Sequence, residues 1–447
     1  MVSKGIAAVA ALAVVTVAAE APAQPRRPAP APAARPAAAP ARPAAQVVTG
    51  PVSTYWMSAE TSSGIGAGLT GAAGGARPSL GSIMGAMRNA GAVNHRVTLQ
   101  LGSSQAPASP AAAHTVPATF GIGPKLNLLS PTTAPPPEPG ERTEVPKEFQ
   151  RPKGRMLIFW GCGAHARPGQ PLVLDFAQMT QGKFPPGLAN AMKGLDYTPM
   201  QPPSPARNKT YGEWPNSRAN PSAPPSSSSL VGAHTVEGNY TSAINYTLAQ
   251  NQDYLPSLGL RTAKAADGSA QLTWTPAAQA RAYLAMAVGG GSQDTVALWI
   301  STEGQAAAFG LPDYLSPADL TRLVGQRALL PATASSCAVP KEFVDAAPAA
   351  FVTLAGYGEE ANFSFPPRPA DPRTPWNIDW TVKVRYRTAD SAILGTDMAA
   401  MGGGGGAAQA QRGGSAPVAP TEPPPSARDA VMRGLGSAIG RGLLGGR

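Results

Sequence analysis

The sequence predicts an all-β fold: two packed immunoglobulin-like β-sandwich regions with one short helix, flanked by disordered tails. Three observations carry that expectation. The 447 residues include 49 glycines and 50 prolines, which interrupt the chain at short intervals. Between the interruptions lie short runs of β-branched and aromatic residues, several alternating apolar with polar. Helical periodicity is scarce, with one exception near Ser316.

The chain opens MVSKGIAAVAALAVVTVAAEAPAQ. Lys4 supplies an n-region charge, Gly5 to Ala19 an apolar run, and Ala21-Pro22-Ala23 a small-residue cleavage motif. Residues 1–23 are therefore expected to be a secretory signal peptide, removed before Gln24. The run is shorter than the roughly 20 apolar residues that span a bilayer. No later segment is long enough, so no integral membrane span is expected after cleavage. Residues 24–46 (QPRRPAPAPAARPAAAPARPAAQ) read as a basic, disordered spacer of polyproline character. Residues 396–447 read as a Gly/Pro-rich basic disordered tail. It closes VMRGLGSAIGRGLLGGR, where Gly436 and Gly440 make a GxxxG that suits a membrane-surface or self-association segment.

Charge follows the ends. The formal total is +10; the spacer holds four arginines and no acid, and from Met401 five arginines face only Glu422 and Asp429. The body is left near neutral, which excludes a nucleic-acid footprint. The basic tails suit an anionic polymer, lipid or protein of the cell envelope, in a salt-sensitive way.

Residues 47–182 form the first β-rich region. VSTYWMSAET (Val52 to Thr61) and HRVTLQLGS (His95 to Ser103) are strands. In the second, Val97, Leu99 and Leu101 point opposite to Arg96, Thr98 and Gln100. RMLIFWGCGAHARPGQPLVLDFAQM (Arg155 to Met179) reads as two apolar strands around a turn. Residues 183–229, rich in Pro, Ser and Asn, read as a loop or linker. Residues 230–395 form the second region. Asp267-Gly268 makes a turn before the strand AQLTW, and ARAYLAMAV and DTVALWIS are further strands. SPADLTRLV is the helix: Ser316 caps it, Pro317 fits the first position, and Asp319 favours the positive end. WTVKVRYRT places Trp380, Val382, Val384 and Tyr386 on one face. Thr381, Lys383, Arg385 and Arg387 take the other, expected to be a solvated face, with a basic ligand-binding face as the alternative.

VPKEF occurs at Val145 to Phe149 and again at Val339 to Phe343. The continuations GCGAHA and GYGEEA align Gly161 with Gly356 and Gly163 with Gly358. A duplication would give these glycines a shared role in turns needing positive φ.

The chain has two cysteines and four histidines. Cys162-Gly-Ala-His165 has the spacing of half a zinc site, but no second Cys/His pair lies nearby in sequence and His95, His114 and His234 are scattered singly. A cysteine-dependent redox or metal protein is the remaining reading of that motif. The preferred reading is a Cys162–Cys337 disulfide, the pairing that two cysteines allow in an oxidising compartment. No metal and no cofactor is expected. No nucleophile elbow, phosphate loop or zinc-protease motif is present, and carboxylates such as Asp175, Glu303 and Asp313 are isolated, so no catalytic residue is nominated. Trp56, Trp160, Trp274, Trp299 and Trp380 sit in apolar strand contexts that suit a core. Trp214 in GEWPN and Trp376 in RTPWNID lie in loop contexts and are the candidate ligand-binding rings.

Residues 258–300 resemble the start of a fibronectin type III or related immunoglobulin-like module, through Leu272 and Trp274 in L-T-W and Ala282-Tyr283 further on. YWMSAET, RPKGRMLIFWGCGAHARPGQP and SSCAVPKEF resemble exported proteobacterial proteins without an assigned activity. That resemblance implies a periplasmic or outer-membrane-surface location and no catalytic residues. The expected function is a non-enzymatic cell-envelope protein with a structural or interaction role. A carbohydrate-binding or glycoside-active protein is the alternative.

Overall fold

Alternation along the strands decides which side chains meet. The structure, a computed structural model, describes residues 46–65, 92–131, 154–189, 195–216, 223–290, 295–304 and 311–395. The signal segment, nearly all of the spacer, the first VPKEF copy and the tail lie outside the described residues.

The chain begins with β1 (Val48–Thr49), β2 (Ser53–Ser63), β3 (Val93–Ser103), β4 (Ala112–Thr115) and β5 (Lys125–Leu128). β6 (Arg155–Trp160), β7 (Leu172–Asp175), helix α1 (Phe176–Met179) and β8 (Thr210–Trp214) follow. Next come β9 (Gly232–Gly238), β10 (Thr241–Leu248), β11 (Arg261–Lys264), β12 (Ala270–Thr273), β13 (Ala280–Gly290) and β14 (Thr295–Ile300). The last are α2 (Pro317–Gly325), β15 (Leu330–Pro331), β16 (Ser336–Val339), α3 (Lys341–Ala346), β17 (Phe351–Phe365), β18 (Trp376–Asn377) and β19 (Trp380–Ile393).

Most strands join one ten-stranded sheet, ordered β7-β6-β14-β13-β17-β19-β2-β3-β8, with β15 pairing β13. Within it β6–β14 and β2–β19 run parallel and the other pairs antiparallel. Both parallel pairs join a strand from before residues 183–229 to one from after them. The two β-rich regions therefore pack by sharing a sheet. The stretch 183–229 itself contributes β8, which pairs with β3 from Leu99↔Trp214 to Ser103↔Thr210.

Two smaller sheets cover one face of the large one. The four-stranded sheet β10-β9-β4-β5 packs Leu126, Leu128, Val236, Ile244 and Leu248 against Tyr55, Met57, Leu99 and Val384. The three-stranded sheet β11-β12-β16, with α3, packs Leu272, Val339 and Phe343 against Phe159, Tyr283, Trp299 and Leu354. The opposite face is covered in part by α2 and its flanks, where Leu311, Leu315, Leu320 and Leu323 meet Ala282, Leu284 and Ile300. The result is an all-β layered sandwich with few helices, as the sequence predicts.

Helix α2 forms for the local reasons read above. The Ser316 hydroxyl accepts from the Asp319 backbone N–H at 3.1 Å, and Pro317 occupies the first turn. The Asp267-Gly268 turn is likewise present, with Gly268 at φ +88° and the Asp267 carboxylate accepting from the Ser269 N–H at 2.9 Å. The paired-glycine expectation needs correction. Gly161 does turn the chain at φ +88°, but Gly356 and Gly358 lie inside β17. There the constraint is space: an added Cβ would stand 2.8 Å from Thr388 Cγ2 at Gly356 and 2.8 Å from Tyr386 Cβ at Gly358.

Candidate functional site

The GCGAHA loop is a docking element. Cys162 and Cys337 form a disulfide with Cα atoms 5.3 Å apart, tying the end of β6 to β16. Hydrogen bonds run beside it. Gly163 N–H donates to the Ala338 carbonyl at 3.0 Å, and Lys341 N–H to the Ala164 carbonyl at 2.9 Å. The Glu342 carboxylate accepts from Ala166 N–H at 2.7 Å and meets His165 Nδ1 at 3.1 Å. That donor holds the Glu342 carboxyl below its ordinary range. With its sulfur in a disulfide, Cys162 has no thiolate to ligate or attack. The Cys–His redox or metal reading of that motif is withdrawn on this ground.

The two candidate rings separate. Trp214 is only 6 % exposed, and its ring packs edge-on to Phe120 with centroids 6.5 Å apart. Its loop placement is thus corrected: it ends strand β8 and closes the core. The signal was the alternation Thr210, Gly212, Trp214, hidden by the surrounding prolines. Trp376 is half-buried in β18. Its indole N–H donates to the Pro366 carbonyl at 3.0 Å, and the Arg368 guanidinium lies 5.5 Å from the ring centroid. Trp56, Trp274, Trp299 and Trp380 are buried as expected, and Trp160 is half-buried.

The cationic face of β19 is not a freely solvated one. Lys383 pairs with Glu360, and Arg387 with Glu60 at 3.2 Å and Asp313 at 3.3 Å. The Arg385 guanidinium lies between Trp56 and Tyr314, 4.9 and 4.1 Å from their centroids, and donates to Ser58 Oγ at 2.7 Å. Three cations thus face three carboxylates under a cover from Tyr314 and Met200. This is an internally matched layer and offers no net charge to an anion.

Three of the four histidines, scattered in sequence, face the inner side of the sandwich. Tyr55 Oη, His114 Nδ1, His114 Nε2, His234 Nδ1, His234 Nε2 and the Leu230 carbonyl form one buried chain, with links of 2.7, 3.0 and 2.7 Å. Only one proton arrangement fits. Leu230 can only accept, so His234 Nε2 donates and its Nδ1 accepts from His114 Nε2–H; His114 Nδ1 then accepts from the Tyr55 hydroxyl. Burial keeps both imidazoles neutral, well below the usual value for His114.

His95 sits where the two cores meet. The connection from β10 to β11 crosses this seam, and a cavity of about 500 Å³ opens there, lined by Thr61, His95, Ser228, Gln250, Tyr254 and Gln279 among others. The imidazole stacks on Tyr254, centroids 3.9 Å apart and planes 8° apart. Its Nδ1 is 2.9 Å from Ser228 Oγ. Burial lowers the His95 pKa, against smaller opposing effects from the Asp253 charge and the Pro225 carbonyl. The serine is held by its surroundings. Ser228 N–H closes a turn on the Pro225 carbonyl at 2.9 Å. The Asp253 carboxylate accepts from Ser229 Oγ at 2.6 Å and from Leu230 N–H at 2.8 Å. This pair combines a hydroxyl, an imidazole whose charged form burial disfavours, and an open cavity.

A scan of the chain against protein-family models finds no match, and searches of curated proteins and of solved structures find no relative.

Proposed function

We propose that this chain is an exported cell-envelope protein with a structural or interaction role, built on a disulfide-stapled β-sandwich. The observation that carries the reading is the Cys162–Cys337 bond. Such bonds form and persist in oxidising compartments outside the cytosol. This one joins sequence positions 175 residues apart, across two layers of the fold. The N-terminal signal features and the basic ends of the sequence support the same reading. Among the described residues, no helix is long and apolar enough to cross a membrane. The basic ends then meet an anionic polymer, lipid or acidic protein in the periplasm or at the outer-membrane surface.

The alternative role in carbohydrate binding loses Trp214, whose ring is buried, and keeps Trp376 as a half-buried ring already engaged by Arg368.

The test is the intact mass of protein recovered from its native envelope, with and without reduction and thiol alkylation. The expected species begins at Gln24, is two hydrogens lighter than the reduced chain, and takes up alkylating agent only after reduction. A chain retaining Met1 with two free thiols would overturn the proposal. Retention on anionic vesicles or envelope polymer that weakens between 50 and 500 mM salt (about a threefold change in screening length) tests the role of the ends.

A further inference from the structure

We propose that Ser228 and His95 form a nucleophile–base pair in the seam cavity, competent for acyl transfer from a small carboxylic ester. This goes beyond the envelope role, which stands or falls separately.

The argument starts from the hydrogen bond. A serine hydroxyl is a weak nucleophile until a base takes its proton as it attacks. Ser228 Oγ lies 2.9 Å from His95 Nδ1, within the reach such a transfer needs. The base must be neutral to accept, and burial holds His95 on the neutral side of its ordinary titration. The ring cannot swing away easily, because it is stacked on Tyr254. Nor can the serine, because the turn from Pro225 and the Asp253 carboxylate fix the backbone on either side. Ser228 is 6 % exposed and is one of the residues that line the cavity. That cavity is open, has room for a short acyl group, and has Gln250 and Gln279 among its lining residues.

The step balances without a cofactor. Ser228 Oγ bonds to the ester carbonyl carbon as its proton passes to His95 Nδ1. The carbon–alkoxy bond breaks, and the alcohol leaves with the proton from His95. Water then adds to the acyl-serine, gives its proton to His95, and the carbon–Oγ bond breaks. The proton returns to Ser228, and the sum is ester plus water giving acid plus alcohol. His165 and the buried His114–His234 chain take no part. His165 faces Glu342 on the surface, and the other two lie inside the core.

The probe is a fluorophosphonate, which an activated serine attacks with loss of fluoride. The full mature chain, with its disulfide intact, is treated at pH 7.5 and the modified residue mapped by peptide mass. The expected result is one phosphonyl group, on Ser228, and none on Ser226, Ser227 or Ser229. His95→Gln, checked for its disulfide and β-rich circular dichroism, is expected to slow labelling about 10²-fold or more. The wild-type labelling rate is expected to hold at neutral pH and fall only on the acid side of the ordinary imidazole range. Hydrolysis of p-nitrophenyl acetate should follow the same variants. An unlabelled Ser228, labelling at another serine, or labelling of Ser228 unchanged in His95→Gln would each overturn the proposal. Because the labelling is read on the wild-type chain, a variant that misfolds does not rescue it.

Discussion

The buried chain from Tyr55 through His114 and His234 to Leu230 carries a consequence for stability. Both imidazoles are fully buried and neutral in the folded state, and their pKa values are lowered there chiefly by desolvation. In the unfolded chain they titrate near 6.5. Below that pH the unfolded state binds more protons than the folded one, so stability falls as pH falls toward the folded-state values. Each histidine contributes a slope of up to about 1.4 kcal/mol per pH unit in that window. Urea unfolding at pH 8, 7, 6 and 5.5 is expected to be flat from 8 to 7 and then to lose stability. A flat profile across the whole range would sink the neutral-chain assignment. At the same scale, Trp214→Ala is expected to cost about 3–5 kcal/mol, the range for emptying a core aromatic site. A ligand-binding ring on a loop would cost almost nothing, so the unfolding midpoint separates the two.

Elements differ in how much of their reason is local. Helix α2 is specified within a few residues: a capping hydroxyl, a proline with no N–H to orphan, and an acid at the positive end. The structure uses all three, and Asp319 additionally accepts from Thr198 N–H at 3.2 Å and pairs with Arg322. Ser316→Ala is therefore expected to destabilise the protein by about 1 kcal/mol, read as a shift in urea midpoint with unchanged slope. Strand β8 shows the other extreme. Its residues Thr210 to Trp214 sit among prolines and serines, and the brief alternation Thr210, Gly212, Trp214 is too short to mark them as a strand on its own. What makes them one is β3, 107 to 115 residues earlier along the register, offering an open edge from Leu99 to Ser103. In β19 the alternation revealed which residues share a face. It could not reveal that Tyr314 and Met200, from distant segments, would cover Arg385. The candidate site was illegible for the same reason. His95 lies on β3 and Ser228 after the proline-rich stretch, 133 positions apart, and only the tertiary fold brings them to 2.9 Å. The disulfide was legible because two cysteines allow one pairing; the loop that docks beside it was not.

At the scale of the whole molecule, the ten-stranded sheet decides how the chain unfolds. Its parallel pairs β2–β19 and β6–β14 take one strand from each β-rich region, so neither region can complete its own sheet. The inner face repeats the pattern: the core under the four-stranded sheet draws Tyr55 and Leu99 from the first region and Val236, Ile244 and Val384 from the second. Two regions coupled this way lose their contacts together. Tryptophans report on both ends of the sheet, with Trp56 and Trp214 toward β8 and Trp274 and Trp299 toward β6. Fluorescence of single-tryptophan variants and far-ultraviolet circular dichroism are therefore expected to give coincident urea transitions. Reduction should shift that shared transition without splitting it. Opening a cross-link of this span removes a constraint on the unfolded chain that is typically worth about 2–5 kcal/mol. Two separated transitions in the oxidised protein would mean that the regions fold as independent units, and that the shared sheet does not govern cooperativity. A reduced protein with an unchanged midpoint would place the disulfide's contribution elsewhere, in the local docking of the GCGAHA loop onto β16.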